Sequence, residues 1–132
     1  MAAPRSIDAL LDEVRTSHEA LESTADEAER IGTAPDALVE TMRRLRTPMV
    51  KVPIEVGGDQ LGLADQMRYF EALSYSNPTA GWIGFNHAGV AGLVAALFQE
   101  SCLDEVFGAN PAPLLAGVAT PSGTFEFVKG GL

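Results

Sequence analysis

The feature that most constrains the fold is an apolar run of twenty residues from Thr79 to Phe98. It contains no charged residue, and Asn86 and His87 are its only strongly polar side chains. A run of this length predicts a helix that is apolar almost all round, which is buried in a helical bundle or placed in a lipid bilayer. The polar pair inside the run and the lack of basic residues at its flanks favour the bundle. We therefore expect no association with a membrane.

The N-terminal third predicts a single long amphipathic helix from Ile7 to Ile31. Apolar residues recur there at steps of three and four, with acidic residues mostly on the other faces. Ser6 is placed to cap the start of this helix, and Gly32 is suited to the left-handed conformation that ends one.

Two more helices are predicted before the apolar run. The first has Thr33 as its cap and Pro35 in its first turn, and it ends near Thr47 because a proline follows. Residues 50–62 contain Pro53 and several glycines, so they predict a structured loop. The next helix runs from Leu63 to Tyr75 and is stopped by Asn77 and Pro78.

The C-terminal part predicts a change of secondary structure. Residues 101–107 form a short helix in this interpretation, with Ser101 as its cap. Residues 114–119 and 124–129 read as two strands of a hairpin joined by a turn at 120–123. The chain ends at Leu132 within this hairpin, so we expect it to carry only part of a larger subunit.

Composition excludes several classes of function. Nine basic and eighteen acidic residues leave a formal net charge of -9, which disfavours binding to nucleic acid. Cys102 is the only cysteine, so one chain has neither an internal disulfide nor a thiolate zinc site. The polar start of the chain lacks the pattern of a secretion signal. We expect a cytoplasmic protein.

Trp82, Asn86 and His87 are the candidate residues for a substrate pocket, because they interrupt the apolar helix with a large ring and two polar groups. An ordinary structural role is the alternative for each. His87 then bonds to a backbone carbonyl in the core, and Trp82 is a core residue. Neither His87 nor His18 has partners at the spacing of metal ligands, so no metal site is expected.

Residues 119–124 are a weaker candidate for a binding site. Thr120, Ser122 and Thr124 carry hydroxyls, and Gly123 permits close approach of the backbone. These groups suit the polar edge of an isoalloxazine ring or a phosphate, although an ordinary hairpin turn explains them equally well. No nucleophile-elbow motif is present, which disfavours a self-contained hydrolase.

The order of these features resembles the N-terminal helical domain of the acyl-CoA dehydrogenase superfamily. The likeness is strongest at Val52-Pro53-Ile54-Glu55-Val56-Gly57-Gly58 and at Ala80-Gly81-Trp82. The Thr79-to-Trp82 opening is closer to the flavin-dependent monooxygenase branch. Members of that branch hydroxylate aromatic or heteroaromatic small molecules with reduced flavin from a partner reductase.

The resemblance implies a mainly α fold, with residues 1–112 as the helical N-terminal domain and 113–132 as the opening strands of a truncated central β-domain. It also implies a flavin, FAD or FMN, a flavin reductase as partner, and a homotetramer of complete subunits. The catalytic base of the family lies in a later region, so no catalytic residue is assigned to this chain.

The resemblance further implies which residues contact the flavin, namely Ala119, Thr120, Ser122, Gly123 and Thr124. Dehydrogenases usually read Thr-Glu-Pro where this chain has Ala119-Thr120-Pro121. Ala119 lacks the hydroxyl, which weakens the dehydrogenase interpretation and leaves the flavin contact to backbone groups or to Thr120.

Two alternatives stay open at this point. The first is an acyl-CoA dehydrogenase that uses FAD to oxidise a thioester. The second is a non-catalytic helical interaction module, or a truncated remnant, which would bind a partner through an exposed apolar surface.

Overall fold

The computed structural model describes residues 3–108, 110, 112–117, 123, 124 and 126–130. Within them the chain is mainly α-helical, as the sequence predicts. The α-helices in chain order are α1 (Ile7–Thr16), α2 (His18–Glu22), α3 (Ala25–Ile31), α4 (Asp36–Arg44), α5 (Leu63–Ser76), α6 (Pro78–Leu97) and α7 (Glu100–Leu103). Two 3₁₀ turns, Thr47–Val50 and Ile54–Val56, lie between α4 and α5, and a π-helical turn, Asp104–Gly108, follows α7.

The single N-terminal helix of the prediction is wrong, because the structure divides it into α1, α2 and α3. The first break falls at Ser17, whose backbone leaves regular helical geometry. The second falls at Ser23 and Thr24, whose hydroxyls donate to the carbonyls of Ala20 and Leu21. Such side chains offer the backbone an alternative to continued helix. The two ends are as expected, since Ser6 accepts a hydrogen bond from the Ala9 amide and Gly32 adopts a φ of 70°.

The predicted limits of the second helix also need correction. α4 begins only at Asp36, because Pro35 is extended and takes the capping position that the sequence assigned to Thr33. It ends before Arg46, which adopts a left-handed φ of 52° and starts the first 3₁₀ turn. Every residue of that turn, Thr47–Val50, is buried.

Helices α5 and α6 form the centre of the bundle. They pack closely at Gly81 of α6, which has no side chain. A Cβ at that position would lie 1.9 Å from Ser74 Oγ of α5, so a larger residue would not fit. The main core lies between these helices and α1, α2 and α4. Its buried members are Leu10, Val14, Leu21, Leu38, Met42, Leu45, Val50, Tyr69, Phe70, Leu73, Ala80 and Ala88.

The start of α6 is held from inside the bundle by Asn77, which is fully buried. Its side-chain oxygen accepts a hydrogen bond from the Ala80 amide, which caps the helix. Its amide nitrogen donates to the carbonyl of Leu21 and to the hydroxyl of Thr24. One side chain therefore joins the start of α6 to the end of α2.

Only one side of α6 is covered within the described residues. Its buried residues are all small and lie at Ala80, Gly81, Gly84, Ala88 and Ala91. The helix is long and apolar enough to cross a membrane, with a mean hydropathy of 1.3, and 28% of that window is buried. Packing of its small residues against α5 and the first 3₁₀ turn agrees with a helical bundle, and the absence of a membrane span remains a prediction.

The C-terminal segment departs from the prediction where it is described. The short helix begins after Gln99 at Glu100, so Ser101 is inside the helix and does not cap it. Residues 112–117 form no strand, and Val128 shows a single isolated bridge. The predicted turn at 120–123 lies mostly outside the described residues, as do parts of both predicted strands. The division into domains at residue 112 stays a prediction.

Candidate functional site

A cavity of about 620 Å³ opens between α5, α6 and Lys51, on the uncovered side of the bundle. Its volume falls within the range of small-molecule sites in proteins. Most of its lining is apolar or aromatic. The lining residues are Lys51, Leu63, Gln66, Met67, Phe70, Glu71, Ser74, Pro78, Gly81, Trp82 and Phe85.

The aromatic part of this cavity is a connected set of rings. Phe70 of α5 and Phe85 of α6 meet edge to face, with centroids 5.6 Å apart and planes at 83°. Phe70 also contacts the buried Tyr69 edge to face at 5.3 Å. Phe85 is half exposed and Trp82, one turn earlier, is 71% exposed, so both present apolar ring surface to an incoming molecule.

Lys51 brings a positive charge to these rings. Its Nζ lies 4.4 Å from the Phe85 ring centroid and 5.8 Å from that of Phe70, both within the range of a cation–π contact. Partial burial lowers the pKa of Lys51, because desolvation disfavours the charged ammonium.

Of the three residues predicted to line a substrate pocket, only Trp82 lines this cavity. Asn86 is exposed and its side-chain nitrogen donates to the Trp82 carbonyl, 2.8 Å away on the same helix. His87 is half-buried on another face, where its Nδ1 donates to the carbonyl of Leu115. That bond is the ordinary structural role considered above. A contact of Asn86 or His87 with substrate remains a prediction.

The His87 bond also positions the chain that follows the helices. It holds residues 112–117 against α6, where a Cβ on Gly117 would lie 3.0 Å from Val90 Cγ2. The predicted flavin contacts come directly after this segment. Ala119, Thr120 and Ser122 lie outside the described residues, while Gly123 and Thr124 are exposed.

A second cavity, of about 590 Å³, lies between α1 and α5 around His18 and Tyr75. Its charged groups are largely matched by neighbours. Arg15 pairs with Asp12 at 2.8 Å, and Arg68 pairs with Asp65 at 3.2 Å. The His18 ring contacts Ser76 Oγ at 3.0 Å. Ordinary surface pairing accounts for these polar side chains.

No group of three metal-ligating side chains occurs in the part of the chain that the structure describes. The cavity between α5 and α6 therefore offers an apolar aromatic wall, the ammonium group of Lys51, the carboxylate of Glu71 and the polar side chains of Gln66 and Ser74.

Comparison with known families decides the relationship that the fold indicates. The sequence profile of the N-terminal domain of acyl-CoA dehydrogenases matches residues 6–100, which is more than half of the chain. The chain belongs to this family. The matched range contains α1 to α6 and every described residue that lines the cavity between α5, α6 and Lys51, which we call the aromatic cavity.

Two similar proteins extend this relationship. A pigment production hydroxylase from Rhodococcus sp. (strain ATCC 21145) is 37% identical over 79 residues, which are 60% of this chain and 20% of the relative. XiaF from Streptomyces sp., solved in complex with FADH2 and glycerol, superimposes with a TM-score of 0.73 at 26% identity. That match covers 80% of this chain and 26% of XiaF. The chain thus spans about a quarter or less of either relative.

Three residues of the cavity between α5 and α6 could not be identified from the sequence. The sequence pattern did not distinguish Phe70 and Phe85 from other residues of their predicted helices, and it placed Lys51 in the predicted loop at residues 50–62. A lysine directly before the Val52-to-Gly58 motif was the available signal, but its proximity to Phe85 depends on how α6 packs against the first 3₁₀ turn.

Proposed function

We propose that this chain forms the substrate-side wall of a flavin-dependent oxidoreductase, and that the complete enzyme hydroxylates an aromatic or similar small molecule. The observation that carries the proposal is the cavity lined by Trp82, Phe85 and Phe70 in a domain of the acyl-CoA dehydrogenase type. A hydroxylase and a protein that binds FADH2 among the similar proteins support it.

The described residues suit the task of holding a flat apolar molecule. The exposed faces of Trp82 and Phe85 offer ring surface for stacking, while Phe70 supports Phe85 from behind. Once its open side is covered in the complete enzyme, a pocket of this kind excludes water from the reacting ring and orients it. In this proposal the chain binds the substrate and helps to exclude water from it, and we assign no catalytic acid or base to it.

The flavin, when bound, supplies the electrons for the reaction with dioxygen. The described part of the predicted flavin segment fits an approach by such a group. Apart from its neighbours in the chain, no described residue has an atom within 4 Å of the position that a Cβ on Gly123 would take, and Thr124 is exposed. Contacts from Ala119, Thr120 and Ser122 belong to the same proposal, as do a partner reductase, a tetramer of complete subunits and a cytoplasmic location.

The test requires the complete protein that contains this chain, supplied with NADH, a flavin reductase and either FAD or FMN. It is incubated with a panel of phenols and indoles under isotopically labelled dioxygen. We expect mass spectrometry to detect one labelled oxygen atom in a product and the second in water. The choice between FAD and FMN follows from which flavin supports turnover.

A matched experiment discriminates the dehydrogenase alternative. Acyl-CoA thioesters are added anaerobically to the oxidised holoenzyme, and bleaching of the flavin absorbance is followed. Bleaching by a thioester, together with no labelled product in the first experiment, would establish a dehydrogenase and contradict the proposal. A protein that binds no flavin at all would point to the interaction module.

A further inference from the structure

We propose that Lys51 makes the aromatic cavity selective for planar aromatic anions, such as a ring carrying a carboxylate. In this arrangement the ammonium group binds the negative charge, while the ring lies against Trp82 and Phe85. The inference rests on the proposed function, because it names the substrate class of the same cavity.

Lys51 carries a positive charge that no neighbouring carboxylate compensates. It is the only cationic side chain among the described residues that line the cavity. No carboxylate of the described residues lies within 4.0 Å of its Nζ, and no side-chain hydrogen bond from it occurs there. Glu71 lines the same cavity but lies beyond that distance. By contrast, Arg5, Arg15, Arg30 and Arg68 each pair with a carboxylate, and Arg46 donates to the Gly57 carbonyl. The remaining cations, Arg43, Arg44 and Lys129, are exposed to solvent.

The fold leaves space for the Lys51 side chain along α6. Lys51 directly follows the buried turn Thr47–Val50, so its backbone is anchored in the core. Its stem crosses α6 at two glycines. A Cβ on Gly92 would lie 3.3 Å from Lys51 Cβ, and one on Gly89 would lie 3.9 Å from Nζ. A larger side chain at position 92 would displace the lysine, so Gly92 allows it to lie along the helix and reach Phe85, while the 3.9 Å at Gly89 is an ordinary van der Waals contact.

The position of the Lys51 ammonium group suits it to recognise an anion. An ammonium group held among phenyl rings has lost part of its water shell, as the lowered pKa of Lys51 reflects. An anion that enters the cavity restores a hydrogen-bonded partner to it, and charge-assisted bonds are stronger than neutral ones. A formal net charge of -9 repels anions from the surface in general, so local recognition by Lys51 would decide which of them bind.

Trp82 provides a direct readout, because it is the only tryptophan in the chain and it lines the cavity. The purified 132-residue chain is titrated with benzoate and with the neutral, similarly shaped benzamide, and tryptophan fluorescence is recorded. We expect benzoate to change the fluorescence at concentrations about tenfold lower than benzamide, a ratio typical of one charge-assisted hydrogen bond.

Three variants assign that preference to Lys51. Lys51→Met keeps the length of the stem and should remove the preference for benzoate, while benzamide binding stays unchanged. Lys51→Arg restores a cation and should restore most of the preference. Lys129→Met is the matched control, since Lys129 is exposed and is the only other lysine, and it should behave as the wild type. Circular dichroism spectra verify that each variant is folded.

Equal binding of benzoate and benzamide, no fluorescence response to benzoate, or an unchanged preference in Lys51→Met would each overturn the inference. None of these titrations uses flavin, oxygen or a reductase. A Lys51-dependent preference in a protein whose complete form hydroxylates nothing would retain the anion site and reject the oxygenase. Labelled product from the complete enzyme, with no effect of Lys51→Met on the KM of acidic substrates, would retain the oxygenase and reject the anion site.

Discussion

The guanidinium of Arg5 holds the carboxylate of Asp59 in two parallel hydrogen bonds across 54 residues of sequence. Arg5 Nε lies 3.1 Å from Asp59 Oδ1, and the terminal nitrogen lies 2.6 Å from Oδ2. The Arg5 backbone amide donates to the same carboxylate. This arrangement ties the segment before α1 to the loop before α5, and it lies next to Glu13 and the Leu45 carbonyl, which also accept from Arg5.

Replacing Asp59 with Asn should lower the free energy of unfolding by about 2 kcal/mol. The Asp59 side chain is 2% exposed and that of Arg5 is 17% exposed, so the loss leaves a poorly solvated cation whose remaining partners are Glu13 and the Leu45 carbonyl. Urea denaturation followed by circular dichroism measures the effect. Asp12→Asn is the control, because its pair with Arg15 is at the surface and should contribute less than about 0.5 kcal/mol. Equal losses in both variants would refute the assignment.

Asn77→Ala should cost about 2 kcal/mol of stability. The substitution removes the acceptor that caps α6 and the donor that serves the Leu21 carbonyl in a fully buried position. Thermal or urea unfolding tests this against Ser6→Ala, which removes an exposed cap from α1 and should cost about 1 kcal/mol or less. A smaller loss for Asn77→Ala than for Ser6→Ala would contradict the role of Asn77 as a link between α2 and α6.

Two glycines on α6 should respond in opposite directions to the same substitution. Gly81→Ala places a Cβ 2.8 Å from the Ser74 backbone Cα, so α5 and α6 must separate, at a cost of about 1–3 kcal/mol. Gly89→Ala meets only Lys51 Nζ at 3.9 Å and should gain about 0.5–1 kcal/mol from helix propensity. Differential scanning calorimetry of both variants measures the two signs. Stabilisation by both would show that α5 and α6 do not pack as described.

The buried Tyr69 predicts a loss of stability in alkaline solution. Burial raises the pKa of Tyr69 from 10.0 to about 12, and its hydrogen bond with Thr47 opposes this only in part. The pKa in the folded state lies above the unfolded value, so between pH 10 and about 12 the hydroxyl of Tyr69 ionises in the unfolded chain but not in the folded one. The contribution of Tyr69 to the free energy of unfolding is therefore fully present below pH 10 and is lost as the pH rises from 10 to about 12. The loss should be on the order of 2 kcal/mol.

Absorbance of the tyrosinate form measures this directly in a Tyr75→Phe variant, in which Tyr69 is the only tyrosine left. Tyr75 is 86% exposed, so its replacement leaves the core intact. We expect the absorbance to rise near pH 12 while the protein is folded. A rise centred on pH 10 without unfolding would contradict the burial of Tyr69.

Local chemistry was sufficient to predict most of the helical fold. Ser6 and Gly32 mark helix ends because a hydroxyl cap and a left-handed glycine act on adjacent backbone, whatever the rest of the chain does. Asn77 and Pro78 separate α5 from α6 for the same reason. The Val52-to-Gly58 motif and the apolar helix then indicated the family, which the profile match at residues 6–100 confirms.

Long-range contacts decided the rest. The break between α2 and α3 lies where Asn77 reaches the Leu21 carbonyl across 56 residues, and no periodicity within the first helix could predict that bond. Lys51 joins Phe85 and Trp82 in one cavity only because small residues on α6 let the first 3₁₀ turn approach. Residue type and spacing thus specified the helices and their family, since those depend on near neighbours. Tertiary packing decided which side chains face one another across the cavity. A local sequence pattern cannot predict this, because those residues are far apart in the chain.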